Sequence, residues 1–236
     1  MQPIFAAPTP DAIPLIAVYS DDLEATIANL PNAAADWLRG MGFDASIGAC
    51  AVLPNSDGSI KAAYVGLGAK GQARVRFVLA AGAAKLPAAT YALDTTQTGP
   101  ALDEVALGLL LSTYRFDRYK SVSAAKQSFI APAGIDATRI EALAAGECLT
   151  RDLINTPASD MGPEELESAA HNLAETHGAT CSVILGDDLL DHNFPLIHTV
   201  GRASPRAPRL IDMFWGKKGP KLTLVGKGVC FDTGGL

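Results

Sequence analysis

The sequence predicts an α/β protein with two domains, because helix signals alternate with short apolar runs of strand length. The run Leu15–Tyr19 has the length of one buried strand. Further along, apolar residues recur at the spacing of one helix face, at Leu102, Val105, Ala106, Leu109 and Leu110. The Ala131–Gly134 stretch contains proline and glycine and is typical of a linker. We therefore predict a mixed α/β domain over residues 1–135 and a layered α/β domain over residues 136–236.

In the first domain, the sequence predicts a helix that starts after Asp21 or Asp22 and runs to about Gly40. Pro31 must interrupt this helix, because proline lacks the N–H that an interior turn requires. Strand-like runs follow at Ala49–Leu53, Ala62–Leu67 and Arg74–Ala80. The Asn55–Gly58 segment is a strong turn signal, so the first two strands should pair as a hairpin.

In the second domain, Thr138 and Glu141 have the spacing of a capping box, which satisfies free N–H groups of the first helical turn. This helix should end near Asn155, because a proline follows closely. Pro163 should open the next helix, and Gly178 should end it. The apolar stripe of that helix comprises Leu166, Ala169, Ala170, Leu173, Ala174 and His177. Three strands are predicted after it, at Cys181–Leu185, Leu210–Trp215 and Leu222–Val225.

The composition is that of an ordinary globular protein, with 48% hydrophobic and 19% charged residues. The formal net charge of -6 disfavours generic binding to nucleic acids or anionic membranes. Six basic residues cluster before the end of the chain, at Arg202, Arg206, Arg209, Lys217, Lys218 and Lys221. We interpret this cluster as a solvated surface rather than a polyanion site.

The four cysteines, Cys50, Cys148, Cys181 and Cys230, are far apart and form no Cys-x-x-Cys pair. They are therefore expected to be buried, reduced thiols of a cytoplasmic protein. The first fourteen residues contain four prolines and no long apolar run. We expect neither a signal peptide nor a membrane span.

The residues that carry chemistry stand in the last fifteen positions, where an apolar run leads into a glycine-rich segment. Lys227 lies between two glycines, and Asp232 follows five residues later. One interpretation is a phosphate loop, but Gly228 stands where that loop needs Ser or Thr, and no helix-forming run follows. A second is a tight turn with a surface Lys–Asp pair. A third is a metal or catalytic site at the end of an α/β strand, where such folds bind ligands.

The segment Val225–Gly235, with the sequence VGKGVCFDTGG, resembles the first metal-ligand motif of the leucyl aminopeptidase (cytosol aminopeptidase) family of M17-type metallopeptidases. Other segments resemble the helix that opens the family's catalytic domain and the stretch before the motif. These are Arg151–Pro157 with Met161–Pro163, and Pro195–Gly201 with Pro208–Asp212. The resemblance covers roughly residues 105–236, whereas the first hundred or so residues match only in architecture.

The resemblance implies that Lys227 binds one metal ion through its neutral amine and that Asp232 bridges two metal ions. Zn²⁺ or Mn²⁺, with Mg²⁺ or Co²⁺ as alternatives, suits such a nitrogen and oxygen donor set. The implied activity is the removal of N-terminal, leucine-like residues from peptides by a cytoplasmic homohexamer. The implied fold is an N-terminal macro-domain-like domain followed by the start of an α/β metallopeptidase catalytic domain.

The family's other metal ligands and its catalytic lysine and arginine lie downstream of the motif, beyond Leu236. Two ligands cannot fill two coordination shells, so we expect the chain to be a fragment that is inactive alone. The four histidines, His171, His177, His192 and His198, have no partner at metal-ligand spacing and are interpreted as structural. The acidic pairs Asp21–Asp22, Glu164–Glu165 and Asp187–Asp188 are interpreted as helix-start residues.

A different class of function stays open for this chain. The N-terminal domain is also suited to a non-enzymatic module that binds protein or nucleic acid, or that serves assembly with a full-length partner. The acidic balance weighs against the nucleic-acid version, because phosphate binding requires a positive surface.

Overall fold

The computed structural model describes residues 3–71, 76–95, 98–123 and 125–230. The chain divides into two units, Met1–Thr150 (unit 1) and Arg151–Leu236 (unit 2). The division falls inside a long helix, later in the chain than the predicted domain boundary near residue 135, which stays a prediction.

Unit 1 contains a five-stranded sheet. Its strands are β1 (Ile13–Val18), β2 (Cys50–Pro54), β3 (Ile60–Gly66), β4 (Ala89–Asp94) and β5 (Gln127–Phe129). The strand order is β2-β3-β1-β4-β5, and only the β2–β3 pair is antiparallel. The predicted hairpin is confirmed, because the Asn55 N–H donates to Ser59 O at 2.7 Å across a turn in which Gly58 has a φ of 84°.

The helices of unit 1 cover both faces of this sheet. They are α1 (Leu23–Ala28), α2 (Asn32–Gly40), α3 (Val78–Ala83), α4 (Gly99–Ser112) and α5 (Ala137–Asn155), and α5 continues into unit 2. A single 3-10 turn, Ser20–Asp22, precedes α1. The chain leaves α1 before Pro31 and starts α2 directly after it, as predicted.

The predicted strand Arg74–Ala80 is wrong in its described part, because Val78 begins helix α3. Residues 72–75 lie outside the described ranges. Leu79 and Ala83 are four positions apart and both are buried in the core cluster that contains Val65 of β3. An apolar run of this length is compatible with a strand or a helix. Here the helix forms because it buries one of its faces in the core.

The core of unit 1 follows the alternation of the strands. In β3, Ala62 and Tyr64 pack in one cluster with residues of α1 and α2, including Leu38. Ala63 and Val65 point the other way and pack with residues of α3 and α4. Because successive side chains of a strand alternate between faces, one strand contributes to both clusters. A third cluster joins α4 to α5 and contains Ala106, Leu110, Leu111, Ile140, Ala144 and Cys148.

The start of α5 is capped differently from the prediction. The Asp136 carboxylate accepts the N–H of Arg139 at 3.1 Å, so Asp136 takes the capping role that was predicted for Thr138. The Glu141 carboxylate accepts the N–H of Phe5 at 2.9 Å instead of turning back to its own helix. The capping box is therefore wrong, because a tertiary partner of Glu141 competes with the local one.

Within its described residues, 151–230, unit 2 contains two strands and three further helices. They are α6 (Pro163–His177), β6 (Thr180–Leu185), α7 (Asp188–Asp191), α8 (Pro195–Gly201) and β7 (Arg209–Phe214). The strands β6 and β7 pair antiparallel, with Cys181 opposite Met213. Pro163 opens α6, and Gly178 ends it in the left-handed conformation with a φ of 64°, as predicted.

The predicted apolar stripe of α6 is only partly buried. Among its members, Ala174 is buried, whereas Leu173 and His177 are exposed. A stripe of the correct period therefore does not guarantee a covering layer. Among the helices of the described ranges, none combines the length and the apolar character that crossing a membrane requires.

Candidate metal centre

The structure places one of the two predicted metal ligands. Lys227 is exposed, in a segment from Lys221 to Cys230 without helix or strand. The two glycines that flank it, Gly226 and Gly228, have open space where a Cβ atom would stand. Asp232 lies outside the described residues.

The predicted strand Leu222–Val225 does not form. Leu222, Leu224 and Val225 are 81%, 87% and 91% exposed. A strand requires a neighbour that pairs with its backbone N–H and C=O groups, and no strand of the described residues pairs with this run. The apolar run therefore leads to Lys227 as an uncovered segment without helix or strand.

The described residues do not by themselves fit a metal ion. Within residues 3–71, 76–95, 98–123 and 125–230, no three His, Cys, Asp or Glu side chains lie close enough together to hold one. A divalent cation of this kind needs about four to six ligand positions, and Lys227 supplies one donor.

Three of the four histidines contact groups other than Lys227. His171 Nε2 lies 3.8 Å from Glu167, four residues earlier in α6. His198 Nε2 lies 3.0 Å from the Asp187 carboxylate, and His198 belongs to helix α8. The backbone carbonyl of His177, at the end of α6, accepts a hydrogen bond from the Trp215 indole at 3.0 Å.

Two arginines of the predicted solvated cluster bind glutamates of α6, and the prediction of a solvated side chain is wrong for Arg209, which is only 8% exposed. Arg209 contacts Glu164 at 2.8 Å and also Glu167. Arg206 contacts Glu165 at 3.0 Å and donates to the backbone carbonyl of Ser159 at 2.9 Å. We call Arg206, Arg209, Glu164, Glu165 and Glu167 the arginine clasp. The other members of the predicted cluster, Arg202, Lys217, Lys218 and Lys221, are exposed as predicted.

The clasp also organises the first turn of α6. The Glu165 carboxylate accepts the Gly162 N–H at 2.8 Å, so Glu165 satisfies a free donor at the helix start. Hydrogen bonds from the N–H groups of Glu165 itself and of Gly162 hold the pKa of the Glu165 carboxyl below its usual value, and the charge of Arg206 acts in the same direction. The acidic pair Glu164–Glu165 thus starts a helix as predicted, and it also binds arginines.

Two glycines allow a close approach at the clasp. A Cβ atom at Gly162 would stand 1.9 Å from the Arg206 guanidinium nitrogen Nη1. A Cβ atom at Gly201 would stand 2.3 Å from the Cβ of Pro208. Gly162 has an extended backbone conformation that any residue adopts. A glycine is therefore needed there because a side chain would have no room, and not because of the φ angle.

Cys230 is the point at which the motif segment becomes partly buried again. Its side chain is half-buried, whereas residues 215–228 are exposed. Burial raises the pKa of the Cys230 thiol, and the positive charges of Arg206 and Arg209 act in the opposite direction. All four cysteines are free thiols, but only Cys148 is buried, so the expectation of burial is wrong for the other three.

The clasp was not predicted from the sequence, although its members were noted separately. The signal was present as three glutamates in one helix and two arginines just before a strand. The pairs are separated by 41 to 45 residues, so no local spacing rule connects them.

Two family models match the chain. The model of the M17 aminopeptidase N-terminal domain matches residues 13–132. The model of the catalytic domain of the cytosol aminopeptidase family matches residues 148–236. The second match includes the clasp, Lys227 and Asp232.

Relatives and solved structures agree with these matches. The probable cytosol aminopeptidase of Brucella ovis is 36% identical over 159 residues, which are 61% of this chain and 32% of that protein. The cytosol aminopeptidase of Coxiella burnetii has a crystal structure that superposes with a TM-score of 0.88 at 30% identity, covering 99% of this chain and 51% of that one. The bottromycin maturation enzyme BotP in complex with Mn superposes with a TM-score of 0.65 at 28% identity, covering 85% and 44%.

The chain spans a third to a half of the length of these relatives. Its fold is that of the M17 N-terminal domain and of the start of the catalytic domain, as the resemblance implied. Both parts of the sequence match models of one family, and together the matches cover most of the chain. The chain therefore belongs to the M17, or cytosol aminopeptidase, family.

Proposed function

We propose that the protein to which this chain belongs is a metal-dependent aminopeptidase that removes N-terminal, leucine-like residues from peptides. The match of residues 148–236 to the catalytic domain of the cytosol aminopeptidase family carries this proposal. The superposition of nearly the whole chain on the Coxiella burnetii enzyme supports it.

Lys227 and Asp232 are proposed as two of the metal ligands. The chemistry of the donors supports this assignment, since a neutral amine and a carboxylate are ligands for Zn²⁺ and Mn²⁺, and also for Co²⁺ and Mg²⁺. Mn is present in the BotP complex, which favours Mn²⁺ as one occupant. Two bound divalent cations would supply Lewis acidity toward a carbonyl group and a water molecule. As a ligand, Lys227 would act through its neutral amine, so cation binding there would displace a proton.

The family assignment also supports proposals about the substrates, the assembly and the location of the enzyme. We propose peptide substrates and a cytoplasmic location, which the name cytosol aminopeptidase favours. We also propose a homohexamer of complete chains, which the family resemblance implies. We also retain the proposal that the N-terminal domain ends near residue 135. It agrees with the family match that ends at residue 132.

The test begins with the natural protein that contains this chain. Its intact mass is compared with 24.5 kDa, and hydrolysis of leucine p-nitroanilide is then measured with added Mn²⁺ or Zn²⁺. We expect a larger mass, metal-dependent hydrolysis, and no hydrolysis of N-acetyl-leucine p-nitroanilide, which lacks the free amine. We expect the 236-residue chain alone to be inactive, because two ligands cannot complete two metal shells.

Substitutions at the proposed ligands sharpen the test. Lys227→Met and Asp232→Ala should each lower kcat/KM by at least about a hundredfold, because even residues that only orient metal ligands contribute about 10–100-fold. Lys218→Met and Asp191→Ala are matched controls, since both residues are exposed, and they should retain activity. Natural protein that hydrolyses nothing with any of the four ions would refute the proposal.

A further inference from the structure

We propose that Trp37 keeps the open edge of the unit 1 sheet from pairing with the same edge of a second copy of this chain. The edge is the outer side of strand β2, because β2 is the first strand in the order β2-β3-β1-β4-β5. The indole Nε1 of Trp37 lies 2.9 Å from the carbonyl oxygen of Val52 in that strand. This contact lies within unit 1 and is independent of the proposed metal centre.

The hydrogen bonds at the start of β2 establish which of its backbone groups point outward. The Gly66 N–H, at the end of β3, donates to Ala49 O at 2.8 Å, so the Ala49 carbonyl points toward β3. The backbone groups of successive residues in a strand alternate in direction, and the register of β2 is regular as far as Leu53. Val52, three positions after Ala49, therefore directs its N–H and C=O away from β3.

The opposite edge of the same sheet is covered by the chain itself. The Ala6 N–H donates to Phe129 O of β5 at 2.8 Å, and Ala6 forms a parallel bridge with Ile130. Among the described residues, no strand pairs with the outer side of β2. An open edge strand is a template for pairing with another chain unless features such as charged side chains prevent it, and β2 (CAVLP) contains no charged residue.

Two features of β2 restrict such pairing. Pro54 ends the strand without an N–H to donate, and the register shifts between Leu53 and Pro54. The Trp37 indole binds the Val52 carbonyl at the position that the N–H of an added strand would occupy. Trp37 is 45% exposed, so water could satisfy its N–H, and burial of the indole does not account for the contact.

A second copy fits this edge because an antiparallel pair of identical strands is self-complementary about a two-fold axis. With the axis at Val52, the N–H of each Val52 would donate to the Val52 carbonyl of the other copy, and Cys50 would stand opposite Pro54. The two Val52 Cα atoms would then be about 5.5 Å apart, within the range that a disulfide spans. Such a pair forms few hydrogen bonds and is weak, so it is measured by trapping at high protein concentration.

The experiment introduces Val52→Cys into the 236-residue chain and follows its oxidation by non-reducing electrophoresis, with the linked peptides identified by mass spectrometry. With Trp37 intact, the thiols at position 52 should link slowly. Addition of Trp37→Ala should raise the rate of the 52–52 disulfide about tenfold, which corresponds to ~1.4 kcal/mol in the pairing equilibrium. Trp37→Phe keeps a ring and removes the N–H, so it should give an intermediate rate.

Two matched controls accompany these variants. Met41→Ala removes an exposed apolar side chain that lines the same groove as Trp37, and it leaves the indole and Val52 unaltered. This variant should not change the rate of the 52–52 disulfide. Asn172→Cys places a thiol at an exposed position of α6, and that thiol should link at the same rate with and without Trp37.

Three outcomes would overturn the proposal. If the 52–52 disulfide forms at one rate with Trp37, Trp37→Ala and Trp37→Phe while far-UV circular dichroism shows all three chains folded, the indole does not restrict the edge. If Met41→Ala raises the rate as much as Trp37→Ala, exposed apolar surface governs the association. If the thiols at positions 52 and 172 accelerate equally, the association is general. Should Trp37→Ala fail to fold, Trp37→Phe decides by the same criteria.

Discussion

The sheet of unit 1 is covered on both faces, and large side chains such as Leu15, Tyr64 and Tyr91 are almost completely buried in it. In unit 2, the two-stranded sheet leaves Phe214 and the neighbouring Trp215 exposed. The described part of unit 2 buries few apolar residues, and it contains the ion pairs of the arginine clasp.

The difference shows that one chain can use two sources of stability. Apolar burial contributes about 25 cal/mol per Å² and needs two covered faces, which unit 1 has. Charge-assisted hydrogen bonds can stabilise a sheet that is covered on one face only, but their strength depends on the geometry and the protonation state of the paired groups. Unit 1 should therefore respond most to lost volume, and unit 2 to lost charge and to pH.

The chain offers a separate reporter for each unit, because its two tryptophans are Trp37 in unit 1 and Trp215 in unit 2. The Trp37 indole donates to Val52 O at 2.9 Å, and the Trp215 indole donates to His177 O at 3.0 Å. Trp215→Phe leaves Trp37 of unit 1 as the sole tryptophan, and Trp37→Phe leaves Trp215 of unit 2 as the sole tryptophan.

The largest effect is expected from Leu15→Ala. Leu15 is fully buried in the central strand β1, so its truncation should lower the free energy of unfolding of unit 1 by about 2–5 kcal/mol. Urea denaturation followed by Trp37 fluorescence measures the change. Leu224→Ala is the matched control, since Leu224 is 87% exposed, and it should change unit 2 by less than about 0.5 kcal/mol. Equal losses in the two variants would contradict the comparison.

An intermediate effect is expected from Arg209→Ala. The substitution removes the guanidinium that pairs with Glu167. It should lower the free energy of unfolding of unit 2 by about 1–3 kcal/mol, because hydrogen bonds to charged groups contribute about that much. Denaturation followed by Trp215 fluorescence measures it. Arg202→Ala, at an exposed position, should stay within about 0.5 kcal/mol. If Arg202→Ala lowered the free energy of unfolding as much as Arg209→Ala, the net positive charge of this stretch, rather than the clasp, would stabilise unit 2.

The smallest effects should appear at the two ends of the pH range. The free energy of unfolding should fall in acid for unit 2 and in alkali for unit 1. Glu165 has a pKa below its usual 4.5, so its contribution to unit 2 is present above pH 4.5 and is lost as the pH falls through the lowered value. Burial raises the pKa of Tyr64 and of Tyr91 above 10.0, so their contribution to unit 1 is present below pH 10.0 and is lost as the pH rises through the raised values.

Stability measured with each single-tryptophan chain from about pH 3 to about pH 11 tests both halves of this prediction. Glu165→Gln should remove the acid-dependent part in unit 2, and Tyr64→Phe should reduce the alkaline-dependent part in unit 1. Unit 1 losing stability in acid to the same extent as unit 2 would contradict the assignment of the acid effect to the clasp.

Much of the fold was predictable from local signals. The hairpin turn before β3, the break at Pro31 and the αL end of α6 at Gly178 depend on the backbone preferences of single residues, and all three are confirmed. The segment Arg74–Ala80 and the capping box at Thr138 were wrong, because a buried helical face and a bond from Phe5 to Glu141 outweighed local preference.

By itself, the sequence determined the family, the two-part α/β organisation and the positions of Lys227 and Asp232 in a long glycine-rich motif. Only the tertiary structure decided that Arg206 and Arg209 bind glutamates of α6, and that the apolar run before Lys227 forms no strand in the described residues. The physical reason is range. Backbone preferences act within about four residues, whereas an ion pair or a strand ladder exists only when packing brings distant residues together.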